Sequence, residues 1–426
     1  MGRINTRIMG FSKKLFGLIV AISFLLVSCE KVTQVKNESV KTGADVLISE
    51  KIDLLKNKNI GLITNHTGIL SSGKHLVDTL HNLEDVNLIA LFGPEHGIRG
   101  NAPDGKSIKE GIDSKTGIPV YSLYGKIKKP NSEMLKDVDL LIFDIQDIGA
   151  RFYTYISTMY YTIQAASEFK IPILILDRPN PINGLDVQGP MLDTAFKSFV
   201  GIAELPIRHG MTIGELATYF NRPKVLQTDK PADLTIIKLK NWERNFYYDD
   251  CKLNWIAPSP NMPNLETALV YPGMCLIEGT NLSEGRGTYS PFLQIGSPYI
   301  NSEKLLKELY QYNFEGVELS STSYTPEIIP NMAEYVKHKS NLCNGIKLKI
   351  TDRNKFKPIE FGIHLIYLIH KLYPNNFEFR GSIERLWGNK NFREDILGNA
   401  APEKIIRNYH NKLEQFKLKR KNYLLY

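Results

Sequence analysis

Four near-continuous runs of apolar residues stand out in the first half of the chain, at positions 60–64, 86–92, 138–143 and 173–176. Runs of this kind are typical of parallel strands that are buried on both faces of a sheet. Apolar positions at helical spacing over residues 153–169 predict a helix directly after the third run. The pattern therefore predicts an α/β domain with a mostly parallel sheet over residues 45–256.

Each of these runs is followed by side chains that are able to bind or react with a ligand. In open α/β sheets the ligand lies beyond the carboxyl ends of the strands, so four such clusters predict one functional site at that edge. The candidate residues, in chain order, are Asn65 and His66; Glu95, His96 and Arg99; Asp144, Gln146, Asp147 and Arg151, with Tyr153 beyond them; and Arg178 and Asn180.

The composition changes after residue 256. Residues 257–264 contain three prolines and cannot form regular structure, so we expect a covering loop or a domain junction there. A glycine-rich loop with Glu278, Glu284 and Arg286 follows, and the remaining pattern mixes strands and helices. Residues 257–426 are therefore predicted to form a smaller α+β domain.

The N-terminus predicts export. Residues 1–28 combine a basic start with an apolar stretch that is short for a permanent membrane span, as in a signal peptide. The sequence LVSC at 26–29 resembles a bacterial lipobox, which predicts lipidation of Cys29, a flexible tether over residues 29–44, and anchoring to a membrane in the periplasm or at the cell surface. The alternative is an ordinary secretory signal with an incidental cysteine.

The charge and the cysteines exclude other classes of protein. Without the four basic residues of the signal peptide, the chain has 49 Lys and Arg against 45 Asp and Glu. This spread, mild excess argues against a nucleic-acid partner. Cys251, Cys275 and Cys343 have no C-x-x-C spacing, so neither a zinc site nor a disulfide framework is predicted.

No G-x-G-x-x-G follows the first strand, and neither a P-loop nor a G-x-S-x-G motif occurs. The residues instead favour acid–base chemistry. Glu95 and His96 lie in a glycine-framed turn, where Glu95 acts either as a general acid or as a turn-stabilising carboxylate. Asp147 and Arg151 either orient sugar hydroxyls or form an i,i+4 pair on the following helix.

Taken together, these segments resemble the NamZ-type exo-β-N-acetylmuramidases, a family of glycoside hydrolases. The resemblance extends from about residue 45 to the C-terminus, and motifs of this length are highly specific. The segments that carry it are GLITNHTG (61–68), FGPEHGIRG (92–100), FDIQDIGARFYTY (143–155), DRPNPI (177–182), PSPNMP (258–263) and EGTNLSEGRGT (278–288).

The resemblance implies a Rossmann-like domain followed by a smaller domain, with the active site in the cleft between them. It also implies removal of N-acetylmuramic acid (MurNAc) from the non-reducing ends of peptidoglycan fragments such as MurNAc-GlcNAc, without a cofactor. Glycosidic cleavage usually needs two carboxyl groups. Glu95 is the first candidate, and Glu278, Glu284 or Asp144 is the second.

The lactyl carboxylate of MurNAc calls for an arginine partner, and the candidates are Arg99, Arg151, Arg178 and Arg286. Two other functions remain open at this point. One is a non-catalytic lipoprotein that binds muropeptides. The other is a metal-dependent deacetylase or amidase on amino sugars, which would use His66, His96 and Asp144.

Overall fold

The computed structural model describes residues 38–100, 111–332 and 335–426. The predicted signal peptide and Cys29 lie outside these residues. Among the residues described, no helix has the length and apolar character needed to cross a membrane. The strands are β1 (Asn59–Thr64), β2 (Asn87–Gly93), β3 (Gly111–Ile112), β4 (Pro119–Ser122), β5 (Leu140–Asp144), β6 (Ile173–Leu176), β7 (Gln188–Met191), β8 (Pro206–Arg208), β9 (Leu234–Ile237), β10 (Gln294–Ser297), β11 (Val317–Tyr324) and β12 (Cys343–Ile350).

The helices alternate with strands in the first half of the chain and dominate its end, as an α/β region followed by an α+β region requires. Short 3₁₀ segments add to them, including Cys275–Gly279. The α-helices are α1 (Gly43–Glu50), α2 (Leu76–His81), α3 (Tyr155–Phe169), α4 (Ile213–Phe220), α5 (Pro223–Leu226), α6 (Leu265–Met274), α7 (Ser302–Leu309), α8 (Pro358–Leu372), α9 (Ile383–Trp387), α10 (Asn391–Leu397) and α11 (Pro402–Arg420).

The main sheet has the order β3-β4-β2-β1-β5-β6-β9, and every neighbouring pair is parallel except β3–β4. All four apolar runs are strands of this sheet, which confirms the predicted α/β class. Both faces are buried, because Leu140 and Ile142 pack into one apolar core while Leu141 and Phe143 pack into the other. Burial on both faces explains why the runs are continuous rather than alternating.

The smaller C-terminal part contains the antiparallel sheet β10-β12-β11. Its core is continuous with one face of the main sheet, since Phe143 and Ile156 belong to the same cluster as Ile346 and Phe361. This agrees with the predicted two-part architecture. The shared core holds the two parts against each other.

The predicted tether is too long at its C-terminal end. Val40 is buried, and the backbone of Lys41 pairs with that of Lys240. Thr42 then caps α1 by accepting a hydrogen bond from the Asp45 backbone, which forms a capping box. The chain is thus already part of the folded unit at Val40 and not a free linker up to residue 44.

Candidate active site

A small cavity of about 200 Å³ opens at the carboxyl edge of the main sheet. Residues from both parts of the chain line it, so the site lies in a cleft between them as expected. Glu95 and Glu278 lie in its wall from opposite halves of the sequence, and Arg286 accompanies Glu278. The remaining wall is rich in aromatic and hydroxyl-bearing side chains, among them Tyr124, Tyr153, Thr154, Ser259, Asn261, Tyr271 and Phe292.

The turn after β2 places Glu95 in this wall. His96 and Gly97 both adopt left-handed backbone conformations, with φ of 72° and 73°, and the Gly97 amide donates to the Pro94 carbonyl. A left-handed conformation is uncommon for a residue with a side chain and is found disproportionately at functional sites. The hydroxyl of Thr154 donates to Glu95 Oε2 at 3.2 Å, which orients the carboxylate. His96 lines the same cavity and is almost fully buried.

Glu278, which also lines the cavity, belongs to an arrangement of four charged side chains. Its Oε1 lies 3.0 Å from Arg286 Nη2, and 29% of its side chain is exposed. Removal of water from around the carboxyl group raises the pKa of Glu278. Arg286 opposes this effect, whereas the negative charge of Glu284 adds to it. Glu278 therefore holds a proton more readily than an ordinary glutamate.

Glu284, by contrast, is buried and firmly paired. It lies 2.9 Å from Lys337 Nζ and 3.6 Å from Arg286 Nε. Burial alone would raise the pKa of Glu284, but the two cations outweigh burial and lower it. Glu284 thus stays ionised and holds Arg286 in place, and it does not line the cavity. The structure gives it a supporting position rather than a catalytic one.

The proline-rich segment 257–264 covers one side of the cavity and contributes Ser259 and Asn261 to its wall. Two side chains hold it there. Tyr155 donates its hydroxyl to the Pro258 carbonyl, and His66 Nε2 lies 2.8 Å from the Ala257 carbonyl oxygen. Burial lowers the pKa of His66, so its ring is neutral and donates to this carbonyl. His66 therefore positions the covering loop instead of lining the cavity.

Asp144 and Arg178 lie outside the cavity in which a substrate would bind. The guanidinium of Arg178 bonds to both carboxylate oxygens of Asp144, at 2.6 and 2.9 Å, and both side chains are almost completely buried. Asp144 ends β5 and Arg178 follows β6, so the pair lies at the carboxyl edge of the sheet, where ligands of open α/β sheets usually bind. Neither residue lines the cavity, so the expectations of a catalytic Asp144 and of Arg178 as the lactyl partner do not fit the structure.

Arg151 is also enclosed in protein. It is completely buried, and its Nη1 and Nη2 atoms donate to the backbone carbonyls of Pro190, Leu205, Leu386 and Trp387. Desolvation lowers the pKa of Arg151 to about 9. Two of these bonds join the segment between β5 and α3 to α9, in the other part of the chain. Arg151 thus supports the wall of the cavity but has no path to a ligand.

Arg99 lies away from the cavity, with Nη2 2.7 Å from Asp78 and 2.9 Å from Asp113. Asn65 is buried at the end of β1, where its side-chain oxygen accepts hydrogen bonds from Thr67. Both residues stabilise loops at the sheet edge. The structure does not bring them to the site that contains Glu95 and Glu278.

Gln146, Asp147 and Asn180 satisfy backbone groups of neighbouring loops. Gln146 Nε2 donates to the Asp147 and Pro179 carbonyls, and Asp147 Oδ2 accepts from the Gly149 amide. Asn180 both accepts from and donates to the backbone. Of the predicted sugar-binding residues around β5, only Tyr153 lines the cavity.

The donors proposed for a metal site do not converge. Over residues 38–100, 111–332 and 335–426, no group of three or more His, Cys, Asp or Glu side chains is placed to hold a metal ion. Asp144 is bound by Arg178, and His66 Nε2 contacts a carbonyl. The geometry therefore does not favour the metal-dependent deacetylase or amidase.

Several residues of the site were not identified from the sequence. Thr154, Asn261 and Tyr271 line the cavity, and Lys337 binds Glu284 from a loop distant in sequence. Thr154 and Asn261 fall within the family-like segments, so those segments held a usable signal for them. Lys337 stands in no recognisable motif, and only the folded chain shows its role.

Comparison with known proteins agrees with this architecture. Residues 60–266 match the family model of the N-terminal region of the exo-β-N-acetylmuramidase NamZ, and residues 269–426 match that of its C-terminal region. The peptidoglycan β-N-acetylmuramidase NamZ of Bacillus subtilis (strain 168) is 48% identical over 414 residues, which is 97% of each chain.

Two crystal structures of DUF1343 family proteins from Bacteroides fragilis NCTC 9343 have a similar fold. They superpose with TM-scores of 0.83 and 0.75, at 35% and 37% sequence identity. Each comparison covers 91% of this chain and 99% of the other. The fold, the two matched regions and the near-complete overlap with a curated relative agree, and this chain belongs to the NamZ family of exo-β-N-acetylmuramidases.

Proposed function

We propose that this protein is a glycosidase that releases MurNAc from the non-reducing ends of peptidoglycan-derived saccharides. The observation that carries the proposal is the pairing of Glu95 and Glu278 in one cavity of a chain that belongs to this family. Two carboxyl groups that flank a glycosidic bond are the usual requirement for its hydrolysis. The proposed role in the cell is cell-wall turnover and recycling.

The size of the cavity supports cleavage at chain ends. Its volume of about 200 Å³ is below the roughly 300–1,000 Å³ of pockets that enclose drug-sized ligands. A cavity of this size suits one sugar unit better than a segment of a glycan chain. The sugar at the end of a chain enters such a cavity, whereas an internal sugar has neighbours on both sides.

The two carboxyl groups are assigned different roles. Glu278 is the proposed general acid, because burial raises its pKa and so favours the protonated form that donates to the leaving oxygen. Glu95 is the proposed second carboxyl group, which acts at the anomeric carbon either directly or through a water molecule. This reverses the expectation from the sequence, in which Glu95 was the general acid.

A pair of chromogenic substrates tests the proposed function. The full chain is incubated with a β-N-acetylmuramide and with the corresponding β-N-acetylglucosaminide, which lacks the lactyl group. We expect turnover of the muramide and a clear preference for it. Folded protein that turns over neither substrate but binds muropeptides would support the non-catalytic alternative instead.

Arg286 is the proposed partner of the lactyl carboxylate, since it is the one Arg or Lys among the described residues that lines the cavity. Arg286→Ala should lower the ratio of muramide to glucosaminide kcat/KM roughly tenfold or more, the loss expected for a charge-assisted hydrogen bond. Any indirect effect through Glu278 affects both substrates equally and cancels in the ratio. An unchanged ratio would remove Arg286 from substrate recognition.

We further propose that the protein is a lipoprotein, anchored through Cys29 to a bacterial membrane in the periplasm or at the cell surface. The support is the LVSC sequence at 26–29 behind an apolar segment. Cys29→Ala should abolish labelling by a fatty-acid probe and leave the precursor unprocessed or the protein in the soluble fraction. Membrane retention and labelling equal to those of the wild type would contradict the anchor.

A further inference from the structure

The glycine-rich loop of the active site separates two cavities. Arg286 and Phe292 line the cavity that contains Glu95 and Glu278. Tyr289, Ser290 and Leu293, which come from the same short stretch of chain, line a second cavity of about 920 Å³. One loop therefore forms a wall of both spaces, and the second cavity adjoins the proposed site of cleavage.

The loop is built to present side chains on two sides. Gly285 and Gly287, on either side of Arg286, have φ of 79° and 81°, so the backbone turns sharply at both. The hydroxyl of Thr288 donates to the Gly285 carbonyl at 2.7 Å and fixes the turn. Tyr289 follows directly and lines the second cavity but not the catalytic one.

Tyr289 is unusually accessible for an aromatic residue next to an active site. It is 85% exposed, compared with 66% for Tyr335 and 64% for Tyr310. Exposure of almost the whole ring leaves its apolar face in water, and covering that face with a ligand is favourable. A sugar ring is a suitable ligand, since its C–H face is apolar while its edge carries hydroxyl groups.

The rest of the second cavity suits a polar ligand without a large charge. Arg353 is engaged with Asp249 at 2.6 Å, so its charge is already balanced. Three basic and three acidic side chains line the cavity, which gives no field that would select a polyanion. These are Lys347, Lys349 and Arg353, and Asp249, Glu266 and Asp352. Ser290 and Thr351 add hydroxyl groups.

We infer that the second cavity is an accessory glycan-binding site, which holds sugar units of the substrate beyond the bond that is cleaved, with Tyr289 as the stacking platform. The inference rests on the proposed function. The catalytic cavity has room for about one sugar, so a longer glycan extends beyond it and can reach a neighbouring surface. The second cavity is several times larger and shares a wall with the first.

A series of substrates of increasing length tests the inference with the full chain. The series runs from methyl β-N-acetylmuramide, which has no sugar beyond the cleaved bond, to a peptide-free hexasaccharide with MurNAc at its non-reducing end. In the wild type KM should fall with length. In Tyr289→Ala we expect the ratio of kcat/KM for the hexasaccharide to kcat/KM for the methyl muramide to fall roughly tenfold, the loss expected when an aromatic ring loses its contact. The change should lie in KM.

Two further variants make the outcome decisive. Tyr289→Phe keeps the ring and should retain the wild-type dependence on length, because stacking uses the face and not the hydroxyl. Tyr310→Ala removes another exposed tyrosine that lines neither cavity, and it should behave as the wild type. Each result is expressed as the ratio of kcat/KM for the hexasaccharide to that for the methyl muramide, so a change in the overall rate does not affect the test.

An unchanged ratio in Tyr289→Ala would overturn the accessory site, as would equal losses on every substrate, which would show that Tyr289 acts only through the shape of the loop. A loss in Tyr289→Phe as large as that in Tyr289→Ala would overturn the stacking role. Failure of the proposed function is seen separately, as the absence of MurNAc release from every substrate by the wild type.

Discussion

Glu278→Gln is expected to lower kcat on natural glycan by at least about 10²-fold, the lower range for loss of general acid catalysis. Glutamine keeps the shape of the side chain but has no proton to give to the leaving oxygen. A phenolic leaving group departs without that proton, so the same variant should lose much less on an activated aryl muramide. The measurement is kcat on both substrates, compared with the wild type.

The pH profile gives an independent view of the same proton. A general acid works only while it is protonated, so its ionisation appears as the basic limb of the kcat/KM profile. Since burial raises the pKa of Glu278, this limb should lie above the ordinary range for glutamate and should disappear in Glu278→Gln. A limb that persists unchanged in the variant would assign the acid to another group.

Glu95→Gln is the matched comparison for these experiments. If Glu95 is the second carboxyl group, its replacement should reduce turnover on natural and activated substrates by similar factors, because both need attack at the anomeric carbon. The opposite pattern, with losses confined to the natural substrate in Glu95→Gln, would exchange the two roles. Wild-type kinetics in Glu95→Gln would show that the turn after β2 is only structural.

Arg178→Ala is expected to destabilise the fold by about 3–5 kcal/mol, the usual result of removing one partner of a buried ion pair. Asp144 would be left almost fully buried at the end of β5, with both carboxylate oxygens deprived of the Arg178 donors. The effect belongs to folding rather than to substrate binding. Urea denaturation of the wild type and the variant measures it.

Lys240→Ala is the control. Lys240 forms an exposed ion pair with Glu50 at 2.6 Å, so its replacement should lower the free energy of unfolding by less than about 1 kcal/mol. The double variant Asp144→Asn/Arg178→Gln should recover part of the stability lost in Arg178→Ala, since it leaves no unpaired charge. If Arg178→Ala is as stable as the wild type and raises only the KM for muramides, the prediction is wrong and Arg178 belongs to the substrate site.

The sequence was a good guide to the sheet and to the edge where the site lies. The apolar runs became β1, β2, β5 and β6, and burial on both faces is a property that the hydrophobic pattern records directly. The capping box that begins α4 is a local pattern of the same kind, because its partners Thr212 and Glu215 lie only three residues apart. Local patterns of this kind determine structure through residues that are close together in the sequence.

The roles of individual polar residues were less predictable, since they depend on contacts between distant segments. The sequence on either side of Asp144 does not show that Arg178 neutralises it. Likewise, the sequence on either side of Arg151 does not show that four carbonyl groups surround its side chain. The choice between Glu278 and Glu284 likewise depended on Lys337, which binds only one of them. Residue type and spacing predicted a polar edge but could not separate ligand-binding groups from structural ones.

The most direct test of the central claim is the product released from a natural substrate. Peptide-free glycan with MurNAc at its non-reducing end is incubated with the full chain, and the products are identified by mass spectrometry. The proposed function predicts free MurNAc and a glycan shortened by one residue, with no internal fragments. Internal fragments, or no product from protein shown to be folded, would contradict it.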